Sequence, residues 1–144
     1  ISMLDKENHK VIEINSYDCF EILKTHSKSH LIDVRTKPEW EFVGIPDLSC
    51  INKQTFFISW CLYPDMRINY DFEREILQLK IDQEDLIFSI CRSGQRSQEA
   101  AAHLNKLGYR NCYNISDGFE GYKDSSSHRA SVNGWKYNSL PWKQ

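Results

Sequence analysis

The feature that most constrains this chain is a short apolar stretch that runs directly into a cysteine. Residues 86–90 read Leu-Ile-Phe-Ser-Ile, Cys91 follows, and residues 92–97 read Arg-Ser-Gly-Gln-Arg-Ser before a helical pattern begins. A short, β-rich apolar run is typical of a central strand in a parallel sheet. Ligands bind beyond the carboxyl ends of such strands. The sequence therefore predicts that Cys91 lies at a ligand-binding edge.

The rest of the chain alternates predicted strands with predicted helices. Strands are expected at residues 10–14, 30–34, 86–90 and 112–115, with residues 56–58 as a candidate for another. Helices are expected from Ser16, the candidate N-cap, to about His26, from Pro38 through Phe42, from Asp71 to Leu79, and from Gln95 to Leu107. Residues 44–48 are predicted to form a turn or loop. The alternation predicts a three-layer α/β/α fold whose central, mostly parallel sheet has about five strands.

A chain of 144 residues is expected to form one domain over residues 1–144. Residues 1–9 are expected to be a flexible N-terminus, and it stays open whether Ile1 and Ser2 are native. Residues 117–144 are expected to form an irregular, aromatic C-terminal tail packed on the domain. Packing on a second copy of the chain is the alternative.

Composition narrows the function classes. A formal net charge of -2 gives no basic field for nucleic acid. No apolar run reaches the roughly 18 residues that a membrane span needs, and no signal-peptide core is evident, which predicts a cytoplasmic protein that binds no membrane. The odd number of cysteines and the lack of C-x-x-C spacing predict free thiols, rather than a disulfide framework or a metal site, for the five at positions 19, 50, 61, 91 and 112.

Cys91 has surroundings that suit a reactive thiolate. A loop between a strand and a helix directs unpaired backbone N–H groups toward one point, where an anion is stabilised. Arg92 and Arg96 add permanent positive charge, and Gly94 allows unusual backbone angles. The same loop, which also contains Ser93, Gln95 and Ser97, could hold an oxyanion substrate. The other four cysteines are interpreted as small buried apolar groups.

These residues and several other segments resemble the rhodanese family, in particular its single-domain bacterial members of the alphaproteobacterial type. The similar segments are Leu31-Ile-Asp-Val-Arg35, Trp40-Glu-Phe-Val-Gly44, Cys91-Arg-Ser-Gly-Gln-Arg96, Asp117-Gly-Phe-Glu-Gly121, and Asn133-Gly-Trp-Lys136 with Leu140-Pro-Trp142. The sequence departs from the family at Ile45, where many members carry a histidine.

The resemblance implies a thiosulfate sulfurtransferase. Cys91 would be the nucleophile that takes the outer sulfur of thiosulfate, or of another sulfane-sulfur donor, as a persulfide and passes it to cyanide, a thiol or a protein thiol. Residues 92–97 would bind the substrate, and no metal or organic cofactor is implied. Asp33 and Arg35 are expected to be structural residues near the site.

Other functions stay open at this stage. A cysteine phosphatase or an arsenate reductase could use a similar loop, but phosphatase loops have five residues between cysteine and arginine, whereas four separate Cys91 from Arg96. A module that binds partners or relays sulfur without using free thiosulfate is the second alternative. Trp60 could line the pocket, although a core position is preferred, and the histidines at 26, 30, 103 and 128 are expected at the surface.

Overall fold

The computed structural model describes residues 10–144, so the predicted flexible segment 1–9 lies outside the described residues. The strands are β1 (Ile12–Ile14), β2 (Ser29–Asp33), β3 (Ile45–Pro46), β4 (Thr55–Phe57), β5 (Cys61–Leu62), β6 (Arg67–Ile68), β7 (Leu86–Ile90), β8 (Asn111–Ile115) and β9 (Trp142–Lys143). The helices are α1 (Ser16–Thr25), α2 (Lys37–Phe42), α3 (Phe72–Gln78) and α4 (Gln95–Lys106), with a single 3-10 turn at Ser49–Ile51.

Five of the strands form one parallel sheet in the order β1-β8-β7-β2-β4. The predicted α/β/α fold with a central parallel sheet of five strands is therefore confirmed. β7 lies at the centre, and Asp33 at the end of β2 is in register with Ile90 at the end of β7. The loops that follow these two strands therefore lie at the same edge of the sheet.

Alternate residues of the central strands face two separate cores, as the pleat requires. One core packs α3 and α4 against Ile32 and Ile87, with Leu104 and Cys112 among its fully buried side chains. The other packs α1 and the C-terminal tail against residues that include Leu31 and Phe88. None of the helices formed by residues 10–144 is long and apolar enough to cross a bilayer.

Three local predictions need correction. α1 is capped by Asn15, whose side chain accepts the Asp18 N–H at 2.8 Å, and Ser16 instead binds Asp117. The predicted loop at residues 44–48 contains β3, which pairs antiparallel with β9. The candidate strand at residues 56–58 is β4, the edge of the sheet, shifted by one residue.

The tail at residues 117–144 is mostly irregular and packs on the domain. Trp135 is fully buried in the core beneath α1, where it meets Phe20 edge to face at 5.8 Å. Its Nε1 donates to the carbonyl of Pro141 at 2.7 Å, so the buried indole loses no hydrogen bond. The tail also contributes a strand, β9, which the prediction of an irregular segment missed.

Candidate active site

Cys91 lies directly after β7, the central strand of the sheet, and is 1% exposed. The apolar residues of β7 anchor it between the two cores. Cys91 is one of the residues that line a cavity of about 190 Å³ beside the loop. The residues that line this cavity, called the loop cavity below, are Cys91, Arg92, Ser93, Gln95, Arg96 and Glu99.

The loop after Cys91 turns two backbone N–H groups toward the sulfur. The N–H of Gly94 lies 3.2 Å from Sγ and the N–H of Ser97 lies 3.3 Å from it. Gly94 caps α4 with a left-handed φ of 106°, and a Cβ there would collide with the backbone of Ser116. Because these N–H groups belong to the first turn of a helix, they are free to stabilise negative charge on sulfur.

The Ser97 hydroxyl connects Cys91 to a residue that sequence reasoning missed. Its Oγ lies 3.1 Å from Sγ and 2.5 Å from Oδ1 of Asn114. A hydroxyl has one proton, so when Ser97 donates to Asn114 the thiol must donate to Ser97. When Cys91 is ionised, the same proton can turn to the sulfur. The arrangement therefore accommodates both the thiol and the thiolate.

Asn114 in turn holds the loop from the neighbouring strand β8. Its Nδ2 donates to the carbonyl of Gly94 at 3.0 Å and to the carboxylate of Glu13 at 2.8 Å. Asn114 is almost fully buried, and both the oxygen and the nitrogen of its side-chain amide form hydrogen bonds. No local sequence motif indicates this residue, because its contacts depend on the pairing of β8 with β1 and β7.

Segment 118–121 supports the far side of the loop. The N–H of Phe119 donates to the carbonyl of Cys91 at 2.8 Å, and those of Glu120 and Gly121 donate to the carbonyl of Arg92 at 3.0 and 3.1 Å. Gly118 is required here, because a Cβ at this position would meet the backbone of Arg92. The loop is thus held by backbone contacts before any substrate arrives.

The two arginines of the loop differ in their electrostatic roles. Arg96 forms a two-pronged ion pair with Glu39 of α2, with N–O distances of 2.7 and 2.9 Å. Burial alone would raise the pKa of Glu39, but the hydrogen bonds and charge of Arg96 outweigh it and lower the pKa to about 2. Arg92 is exposed and forms no ion pair within residues 10–144. Glu39 was not singled out from the sequence.

Asp33 and Arg35 form a buried ion pair beside the loop. Nη2 of Arg35 lies 2.7 Å from Asp33 and also donates to the carbonyl of Gly44 at 2.7 Å. The guanidinium stacks 4.3 Å from the ring of Phe119, whose N–H supports Cys91. Both side chains are inaccessible to solvent. The ion pair and the burial of both side chains agree with a bracing role, and burial keeps both groups away from a substrate.

The remaining candidates lie outside the loop cavity. Trp60 is half-buried and meets Phe72 edge to face at 5.0 Å. Its Nε1 donates to Glu99, a residue that lines the cavity, at 3.0 Å. His30 pairs with Asp85, and His103 packs on Trp60. All five cysteines are free. Within residues 10–144, no group of His, Cys, Asp and Glu side chains could hold a metal ion.

The fold and the loop together define an α/β protein with a cysteine in an anion-stabilising loop at the end of a central parallel strand. The family model of the rhodanese-like domain matches residues 16–125. The chain belongs to the rhodanese-like family, a family of sulfurtransferase type. The comparisons thereby confirm the resemblance seen in the sequence.

The chain is also similar to individual proteins and to a solved structure. The uncharacterized protein RC0915 of Rickettsia conorii is 43% identical over 133 residues, which cover 92% of this chain and 97% of that protein. The crystal structure of Rv0390 from M. tuberculosis superposes with a TM-score of 0.85 at 36% identity, covering 94% of this chain and 98% of that one. The adenylyltransferase and sulfurtransferase uba4 of Ogataea parapolymorpha is 26% identical over 113 residues, or 78% of this chain and 25% of that protein.

Proposed function

We propose that the chain transfers a sulfane sulfur through a persulfide on Cys91. The observation that carries the proposal is the pair of N–H groups, from Gly94 and Ser97, directed at Sγ. They stabilise the thiolate that attacks the donor. The loop cavity, with a volume of about 190 Å³, leaves room for one further sulfur atom above Cys91. Membership of a family of sulfurtransferase type supports the same conclusion.

The proposed reaction has two steps that conserve atoms and charge. In the first, the Cys91 thiolate attacks the outer sulfur of thiosulfate, the S–S bond breaks, and sulfite leaves with the bonding electron pair. With a persulfide donor, a thiolate leaves instead. In the second, cyanide, a thiol or a protein thiol attacks the terminal sulfur of the persulfide and regenerates the thiolate. The sulfur carrier is the cysteine itself, so the proposed steps call for no metal or organic cofactor.

Residues of the loop have separate roles in these steps. The N–H groups of Gly94 and Ser97 hold Sγ of Cys91, the other N–H groups of residues 92–97 are the proposed donors to the transferred sulfur, and the hydroxyl of Ser97 can donate to the anion when Cys91 is ionised. Arg92 is exposed at the cavity and meets the charge of the donor. Asp33, Arg35 and Asn114 keep the loop in place.

The phosphatase alternative has less support. A phosphatase needs its loop arginine to hold the oxygens of the phosphate, whereas Arg96 is held by both oxygens of Glu39. The backbone loop is also one residue shorter than the phosphatase pattern. A sulfur-relay module remains compatible with the same site, because it differs only in the donor and acceptor.

Intact mass after incubation with a donor tests the proposal. The protein is treated with thiosulfate or, separately, with cysteine persulfide, desalted and weighed, with Cys91→Ala in parallel. A gain of one sulfur atom that cyanide removes, and that Cys91→Ala lacks, is the expected result. No gain with either donor, or an equal gain in Cys91→Ala, would overturn it. Hydrolysis of aryl phosphates without any sulfur gain would instead support the phosphatase alternative.

A further inference from the structure

The charges at the mouth of the loop cavity are balanced before the cysteine ionises. Arg92 and Arg96 contribute two positive charges, and Glu39 and Glu99 contribute two negative charges. Glu39 lies against Arg96 with only 19% of its side chain exposed, so solvent screens this pair weakly. Glu99 accepts a hydrogen bond from Nε1 of Trp60. Once Cys91 is a thiolate, the cavity carries a net negative charge.

A second cavity of about 430 Å³ adjoins the loop cavity. The two share Ser93, Gln95 and Glu99. The other residues lining the second cavity are Glu13, Gly94, Gln98, Asn114, Ser116 and Tyr122. Its lining contains two carboxylates, those of Glu13 and Glu99, and no lysine or arginine. It is an open depression in the surface beside the loop cavity.

We propose that Glu39, by neutralising Arg96, makes the site select an organic persulfide that carries an amino group over the thiosulfate dianion. The terminal sulfur enters the loop cavity, and the organic part with its ammonium lies in the second cavity beside Glu13 and Glu99. The inference rests on the proposed function and specifies its donor.

The chemistry of the two donors explains the selection. Thiosulfate brings two negative charges to an ionised thiolate in a cavity with no surplus of cations, and repulsion slows its approach. Cysteine persulfide has a net charge of at most −1, because its ammonium offsets its carboxylate, and the ammonium is attracted to the carboxylates of the second cavity. When the organic persulfide loads the enzyme, the Cys91 thiolate bonds to the outer sulfur of the donor, the S–S bond of the donor breaks, and the inner sulfur leaves as a thiolate.

Glu39→Gln tests the role of the Arg96 partner. A capping box accepts Gln in place of Glu at this position, so the start of α2 is retained. Glu41→Gln, an exposed position on the same helix, is the matched control because it removes the same charge. The second-order rate of persulfide formation on Cys91 is measured by rapid quench and mass for thiosulfate and for cysteine persulfide, at low ionic strength.

The wild type is expected to load from cysteine persulfide about tenfold faster than from thiosulfate. Glu39→Gln is expected to raise the thiosulfate rate by about fivefold and to leave the cysteine persulfide rate within about twofold. Glu41→Gln should retain the wild-type ratio of the cysteine persulfide rate to the thiosulfate rate. If this ratio is the same in all three proteins, or changes equally in both variants, the inference is overturned while the persulfide chemistry stands. Failure of both donors to load the wild type would overturn the proposed function itself.

Gln98→Trp tests the second cavity independently of Glu39. Gln98 is exposed on α4 and lines only the second cavity, so a bulky side chain there obstructs the organic part of the donor. The rate for cysteine persulfide is expected to fall by about fivefold more than the rate for thiosulfate. Gln78→Trp, an exposed position on α3 that lines neither cavity, is the control. Equal losses for both donors in Gln98→Trp would contradict the assignment of this cavity.

Discussion

The hydroxyl of Ser97 lies 3.1 Å from the sulfur of Cys91, although six positions separate them in the sequence. The turn made by Gly94 and the first turn of α4 bring them together. The contact places a donor with a rotatable proton beside a thiol whose backbone neighbours are fixed. Ser97 can therefore follow a change in the ionisation of Cys91 without movement of the chain.

Replacing Ser97 by alanine is expected to slow persulfide formation by about tenfold, because the thiolate loses a hydrogen-bond donor. Iodoacetamide alkylation of Cys91 at neutral pH should slow in parallel. Ser89→Ala is the control, since Ser89 is equally buried and its hydroxyl has no hydrogen-bond partner. If Ser97→Ala forms the persulfide at the wild-type rate, the Ser97 hydroxyl has no role in the mechanism.

Replacing Gly94 by alanine is expected to destabilise the fold by about 2–4 kcal/mol and to abolish sulfur loading, because its Cβ meets the backbone of Ser116. Gly108 provides the matched control. It has a similar φ of 111°, but a Cβ there meets only the side chain of Gln83. Gly108→Ala should cost about 1 kcal/mol and retain loading. Urea denaturation measures the stability of both variants, and the intact-mass assay measures their sulfur loading. Equal losses of stability and loading in the two variants would contradict the special role of Gly94.

Stability should depend on pH through Glu39. Its pKa in the folded protein is about 2, below the ordinary value of 4.5, so its contribution is complete above pH 4.5 and is lost as pH falls toward 2. Glu39→Gln is expected to be less stable than the wild type by on the order of 1–2 kcal/mol at pH 7. Urea unfolding at several pH values should show this difference shrinking between pH 4.5 and 2. If the difference in stability between the wild type and Glu39→Gln does not change with pH, Glu39 does not contribute to stability in this way.

The Asp33–Arg35 pair should contribute to folding rather than to chemistry. Asp33→Asn leaves the guanidinium of Arg35 buried without its carboxylate, and we expect a loss of about 3–5 kcal/mol. Asp65→Asn removes one member of the exposed Asp65–Arg67 pair and should change stability by less than about 0.5 kcal/mol. Thermal or urea denaturation compares the two variants. Full stability of Asp33→Asn would contradict the bracing role.

The cysteines should separate into reactive and inert groups. Burial raises the pKa of Cys112 to about 12, and burial also raises the pKa of Cys19 well above its ordinary value. Both should resist iodoacetamide in the native protein at pH 7. Cys91, in its loop, and Cys50, which is exposed, should be labelled first. Peptide mapping after brief alkylation provides the measurement, and early labelling of Cys112 would contradict the burial described.

The sequence predicts the part of the site that is local. An apolar strand, a cysteine, a glycine and the start of a helix at Gln95 lie within residues 86–97, and their geometry follows from chain connectivity. The alternation of strand and helix patterns also predicts a parallel sheet flanked by helices, but it does not specify the order of the strands, which the structure gives as β1-β8-β7-β2-β4. The identity of Cys91 as the candidate nucleophile thus needs no knowledge of distant contacts.

The contacts of Glu39 and Asn114 were beyond this reasoning. Glu39 meets Arg96 across 57 positions, because α2 and α4 both begin at the same edge of the sheet. The capping-box pattern of Thr36 and Glu39 was readable in the sequence, but it predicts a helix start and not an ion pair. Asn114 reaches the loop only after β8 has paired with β7. Both depend on tertiary structure, which local patterns do not specify.

The position of Trp135 and Trp142 has a consequence for how the protein forms in the cell. A nascent chain emerges from the ribosome in order, so β7, the cysteine loop and α4 are exposed before these tryptophans are available. Until Trp135 and Trp142 have been synthesised and released, the core beneath α1 lacks the Trp135 side chain and β3 lacks its partner strand β9. The N–H groups of residues 134–136, which bond to residues 117–119, arrive equally late. Cys91 therefore reaches its final surroundings only after Trp142 has left the exit tunnel.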